Sequence, residues 1–151
     1  SIYDNGKKMA NFFPYGVAFK KEISFFTADL NGDGKKEIIT APANGAPHIK
    51  IFSKDGKEIQ PGFFAYDKNF KGGVNLAVAD LNGDGKKEII TAPANGSSHI
   101  KIFSSNGKLL GQFFAFDKSL RSKIRVMADD VNKDGVDEIL VSTDNFTNLN
   151  N

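Results

Sequence analysis

Short apolar runs separated by polar, glycine-rich stretches dominate this chain. Val74-Asn75-Leu76-Ala77-Val78-Ala79 and His99-Ile100-Lys101-Ile102-Phe103 alternate apolar and polar positions with a period of two, which predicts half-buried strands. Between them, Glu88-Ile89-Ile90-Thr91-Ala92 reads as a further strand ended by Pro93. Ser105-Asn106-Gly107-Lys108 is a hairpin turn of the Asn-Gly type, and it leads into a fourth strand from Leu109 to Phe116. No segment shows helical periodicity of useful length. The expected class is all-β.

The same four-strand pattern returns at a spacing near fifty residues. Phe12-Phe13-Pro14-Tyr15 matches Phe63-Phe64-Ala65-Tyr66 and Phe113-Phe114-Ala115-Phe116. The copies align with one extra residue around Pro61-Gly62 as the only change in length. The expected units are a half unit at 1–16, full units at 17–67 and 68–118, and a half unit at 119–151. Ser1-Ile2 falls where Ile51-Phe52 and Ile102-Phe103 fall, inside a third strand, and Asn150-Asn151 aligns with Ile49-Lys50. The half units therefore leave sheet edges that need a partner.

Each copy carries one acidic loop after its first strand. Asp29-Leu30-Asn31-Gly32-Asp33-Gly34-Lys35-Lys36-Glu37 recurs as Asp80-Leu81-Asn82-Gly83-Asp84-Gly85-Lys86-Lys87-Glu88, and in divergent form as Asp130-Val131-Asn132-Lys133-Asp134-Gly135-Val136-Asp137-Glu138. Side-chain oxygens occupy positions 1, 3, 5 and 9, and glycine holds position 6. Ca²⁺ takes about six to eight oxygen ligands at about 2.3–2.6 Å, and a short alternating loop can wrap one. The expected ligands are Asp29, Asn31, Asp33, the Lys35 carbonyl and Glu37; Asp80, Asn82, Asp84, the Lys86 carbonyl and Glu88; and Asp130, Asn132, Asp134, the Val136 carbonyl and Glu138. Asp, Asn and Gly also make turns without any metal. Three copies that keep the acids while position 4 changes from Gly to Lys favour the ion, and three Ca²⁺ sites are expected. Mg²⁺ prefers fewer protein ligands and more water. An EF-hand is unsuitable, because its ligands extend to position 12 between two helices, whereas here the ninth residue opens the apolar run Ile38-Ile39.

Composition narrows the partners. The net charge of +2 implies no attraction to nucleic acid or membrane. The chain has no cysteine, hence no disulfide or thiol chemistry. No apolar run approaches a membrane span, and no signal peptide is recognisable. The chain opens on Ser1 rather than Met and is read as a processed or excised piece.

With strands, loops and repeat in place, the chain resembles the FG-GAP repeats of integrin α subunits and bacterial surface proteins. The Asp-x-Asn-x-Asp-Gly signature is present in all three copies, with Glu at position 9 where the family more often has Asp. Thr40-Ala41-Pro42 and Thr91-Ala92-Pro93 resemble the second element of the family name, and Ser142-Thr143-Asp144 has lost it. Tyr15-Gly16 and Gly72-Gly73 carry a weak trace of the first. The resemblance implies propeller blades in which the calcium loop joins the first and second strands. A propeller needs about four to eight blades. The expectation is a homodimer completing a six-bladed ring, or else a fragment of a longer propeller. A β-trefoil is the structural alternative.

Other residues are better read as structure. His48 and His99 share a repeat position before the third strand, without an evident nucleophile, and are expected to hydrogen-bond a neighbouring loop. The Phe-Phe tracts are expected between packed sheets rather than under sugars. The Lys-Lys pairs at 35–36 and 86–87 are solvated loop charges. Asn95-Gly96-Ser97 and Asn145-Phe146-Thr147 fit the N-glycosylation pattern, although Asn-Gly is sufficiently explained as a turn. No catalytic constellation can be assembled. The expected function is a non-enzymatic, calcium-stabilised module of an extracellular or cell-surface protein, for adhesion or protein binding; a carbohydrate-binding lectin is the alternative.

Overall fold

A computed structural model describes the backbone of residues 2–4 and 7–144 and the side chains of residues 11–144. Within these bounds the chain forms twelve strands and no helix: β1 (Ile2–Asp4), β2 (Lys7–Ala10), β3 (Ile23–Ala28), β4 (Glu37–Pro42), β5 (His48–Phe52), β6 (Phe63–Phe64), β7 (Val74–Ala79), β8 (Glu88–Pro93), β9 (His99–Phe103), β10 (Leu109–Phe114), β11 (Ile124–Asp129) and β12 (Glu138–Thr143). They pair into two antiparallel four-stranded sheets, β3-β4-β5-β6 and β7-β8-β9-β10, and two hairpins, β1-β2 and β11-β12. The first four-stranded sheet runs from Ile23 to Phe64 and the second from Val74 to Phe114. Asn145-Phe146-Thr147 and Asn150-Asn151 lie outside the described residues.

The period of two decides how the sheets stack. On β7, Val74, Leu76 and Val78 share a core with Ile39, Ala41, Ile49 and Ile51 of the first sheet. The alternate residues Ala77 and Ala79 join Ile90, Ala92 and Ile100 in a second core, against Ile124, Val126, Ile139 and Val141 of the last hairpin. The middle sheet is thus apolar on both faces, and β8 is buried along its whole length. Stacked four-stranded meanders are blade-like, and they are not the hairpin arrangement of a trefoil.

Two strands differ from expectation. The fourth strand stops at Phe114 rather than Phe116, because the chain turns away there: Leu120 N–H donates to the Asp117 carbonyl at 3.0 Å. Its counterpart β6 is only two residues long. An isolated bridge at Phe52–Glu58 begins the pairing, and the extra residue with Pro61, which has no N–H, interrupts it until Phe63. β10, which has no such extra residue, continues to Phe114 across a register shift between Leu109 and Gly111.

Gly72-Gly73, the faint trace of the family's first element, has a packing role. Gly73 sits at φ +77°, and a Cβ there would overlap the Ala43 carbonyl of the preceding sheet. Its N–H donates to Gly45 O at 3.2 Å, while its carbonyl accepts from Ala94 N–H at 2.9 Å. Only glycine allows the two sheets to approach so closely.

Candidate metal centre

The acidic loops join the first two strands of each unit: β3 to β4, β7 to β8, and β11 to β12. Each is built inward around its first aspartate. Asp29 Oδ1 accepts the Gly32 and Asp33 amides at 2.8 and 3.1 Å, and Oδ2 accepts Gly34 N–H at 2.7 Å. Asn31 Oδ1 then takes the Asp33 amide at 2.9 Å, and Asp33 Oδ1 takes the Lys35 amide at 2.8 Å. The second loop repeats this around Asp80, Asn82, Asp84 and Lys86. The third does so around Asp130, Asn132, Asp134 and Val136. The closing glutamates are the first residues of β4, β8 and β12. Glu37, Glu88 and Glu138 accept the amides of Leu30, Leu81 and Val131 at 2.9, 3.0 and 3.0 Å.

Every side chain expected as a ligand is therefore turned onto its own loop. Among the described residues no three His, Asp or Glu side chains gather into one cluster. The donor set fits a hard cation in kind, since all its side-chain atoms are oxygens and the second oxygens of Glu37 and Glu88 accept no hydrogen bond within the described residues. Glu138 differs, because its second oxygen accepts from Asn132 Nδ2 at 2.7 Å. Lys133 also stands at φ +63°, a left-handed conformation that Gly32 and Gly83 occupy in the other copies.

Loop electrostatics follow from these contacts. Desolvation pushes the Asp29 and Asp80 carboxyls up, but four loop amides around each outweigh it and hold both below the usual carboxylate range. The loops also touch in sequence. Lys87 N–H donates to Leu30 O at 3.4 Å, and Asp137 N–H donates to Asp80 O at 2.9 Å. The Asp137 carboxylate accepts Asp80 N–H at 2.9 Å and lies 3.9 Å from Lys87 Nζ. The loops thus form a row at one end of the stacked sheets, and Asp137 is a contact between two of them rather than surplus charge.

The repeated aromatics form a separate arrangement. Tyr66, on the connector leaving the first sheet, donates into the second at His99 O (2.7 Å) and Thr91 O (2.9 Å), with Thr91 Oγ1 at 3.2 Å. Tyr15 makes the matching contacts with His48 O and Thr40 Oγ1 at 2.8 and 3.1 Å. Burial raises both phenol pKa values, and the threonine hydroxyls only partly offset it. The third copy has Phe116 and Val141 at these positions. That paired change was the available signal in the sequence, and it identifies a latch between connector and sheet.

The Phe pairs divide. Phe12 and Phe63 pack on Phe52 and Phe103, each with centroids 4.9 Å apart, whereas Phe13 and Phe64 are exposed. The second Phe does not fill an inter-sheet space as expected: it neighbours the first on an extended chain and points to the opposite face. His48 stacks on Phe64 at 4.6 Å and His99 on Phe114 at 4.5 Å. His99 Nε2 also lies 3.0 Å from Gln112 Oε1, so both rings have structural partners within their own sheet. At Asn95 the side chain reaches Gly72 O at 3.5 Å, and Gly96 has φ +104°, as a turn requires.

Residues 29–91, spanning the first two loops, match the family model of the FG-GAP-like repeat. No curated protein and no solved structure matches the chain.

Proposed function

We propose that this chain, an FG-GAP repeat protein by its match over residues 29–91, is a calcium-binding β-propeller module of an extracellular or cell-surface protein. It is non-enzymatic, serves adhesion or protein binding, and uses Ca²⁺ structurally. The observation that carries this reading is the threefold recurrence of one inward-turned oxygen framework, kept although position 4 changes from Gly to Lys. Asp29, Asp33 and Glu37 and their counterparts Asp80, Asp84, Glu88, Asp130, Asp134 and Glu138 would supply the anionic ligands, each ion closing its own loop. Extracellular modules bind Ca²⁺ at about 10⁻⁴–10⁻³ M, which supports a location outside a resting cytosol.

Thermal unfolding in chelator against millimolar Ca²⁺ tests the proposal. At ten times the Kd each site adds about 1.4 kcal/mol to the folded state. Ca²⁺ should therefore raise the Tm, and Asp84→Ala should remove about a third of the rise. An identical melt in both conditions would sink the calcium reading.

A further inference from the structure

The repeat shows within one chain what covers each sheet face, and two faces lack their cover. In the second sheet, Val74, Leu76, Val78 and Ile89 lie under the first sheet. The same repeat positions in the first sheet are Ile23, Phe25, Thr27 and Ile38, and these line an open groove of about 380 Å³ together with Phe12 and Thr40. Phe25 is 69% exposed, whereas its counterpart Leu76 is 6% exposed. The connector is already seated there, since Phe12 packs on Phe52 as Phe63 packs on Phe103. Beyond Phe12, no sheet among the described residues covers this face.

The opposite end of the stack shows the complementary deficit. Met127 and Leu140 occupy the positions of Ala77 and Ile90, which are buried beneath the next unit. Met127 is 60% exposed and Leu140 37%. Among the described residues β12 pairs with β11, whereas its counterpart β8 pairs with both β7 and β9.

The geometry points to a head-to-tail assembly in which the open face of the first sheet receives the outer face of the β11-β12 hairpin from a second copy of this chain. The occupant is specified by continuity with the internal interfaces: the face that covers Leu76 belongs to a sheet of this repeat, and this chain carries such a face uncovered at its other end. The β1-β2 hairpin leads directly into the connector of the first sheet. In the assembly it lies beside β12 of the partner and completes a four-stranded blade there. A second copy related by a two-fold axis makes the contact twice and closes the ring, leaving neither apolar face open. This inference rests on the propeller reading above.

Light scattering of the intact chain with Ca²⁺ present tests it, with Phe25→Asp and Met127→Asp as variants. Both side chains are exposed in one copy, so neither change opens a core. The expected mass is twice 16.4 kDa for the native chain and 16.4 kDa for each variant, with unchanged far-UV circular dichroism. Mixing the two variants should recover dimer at high concentration, because one of the two contacts is then native on both sides. A monomeric native chain, or a Phe25→Asp variant that stays dimeric, overturns the assembly. Calcium-dependent melting of the Phe25→Asp monomer reads the metal proposal separately, so either can fail alone.

Discussion

Replacing Tyr66 by Phe isolates one hydroxyl in the latch between the first and second sheets. The ring remains, with its contact to Phe70 at 5.8 Å and Lys101 Nζ 5.1 Å from its centroid. What disappears is an O–H shared between His99 O and Thr91 O, together with its contact to Thr91 Oγ1. One proton serves both carbonyls, so the three contacts do not count as three bonds. A net hydrogen bond is worth about 0.5–1.5 kcal/mol, and a buried acceptor left bare costs more, giving a loss of about 1–2 kcal/mol. For a chain of this size that corresponds to a fall of about 2–8 °C in Tm. Thr91→Val alone also loses the contact of Thr91 Oγ1 with Lys101 O at 3.3 Å. The double variant reproduces the Phe116–Val141 pair of the third copy and leaves no hydroxyl facing an apolar neighbour. Its cost should therefore be smaller than the sum of the singles by about 0.5–1.5 kcal/mol. Calorimetry and urea unfolding of the four chains measure this cycle. Strict additivity, or a Tyr66→Phe variant as stable as the native chain, would refute the latch.

Lys133→Gly should stabilise the chain by up to about 1 kcal/mol in calcium-free buffer, because the cost of a left-handed lysine exceeds the extra unfolded-state freedom of glycine; a lower Tm would contradict it. A second expectation concerns pH. Desolvation first, and then the nearby Lys50 and Lys101, hold the His48 and His99 imidazoles below their ordinary value, with Glu58 and Gln112 opposing in part. Both rings are neutral in the folded and unfolded chain well above pH ~6.5, and as pH falls the unfolded chain takes up its protons first. Stability should decline from about pH 6.5 down to the depressed folded values and then level off for these groups. A His48→Gln/His99→Gln chain should show a flatter Tm profile between pH 7 and 5, and an unchanged slope would remove the histidines from the account.

The strand pattern was legible because the two-residue period is a property of each segment, written in runs such as Val74–Ala79 and His99–Phe103. The same period specifies the packing, since alternate residues of β7 enter different cores. β6 was less legible: whether a fourth strand survives an extra residue beside Pro61 depends on pairing across to β5, which no local pattern records. In the loops, residue types and spacing were readable, but their hydrogen bonds were not. The sequence suggests carboxylates converging on an ion, and the structure has them accepting loop amides first. Both uses require the same inward side chains, so the motif by itself does not separate them.

The third copy shows most directly how structure changes the reading of a divergent repeat. By composition it has weakened: Gly becomes Lys at position 4, Lys becomes Asp at position 8, Tyr becomes Phe and Thr becomes Val. In the fold, two of these differences compensate others. Asp137 replaces a lysine but caps the Asp80 amide and meets Lys87, so it binds its loop to the one before it. Phe116 and Val141 remove both members of a polar pair, and both join the second core. Lys133 alone retains an uncompensated backbone cost, on an exposed loop whose first aspartate still gathers the Asp134 and Gly135 amides. What this unit keeps is the inward loop framework and one apolar face packed in the second core, while Met127 and Leu140 stand exposed on the other face.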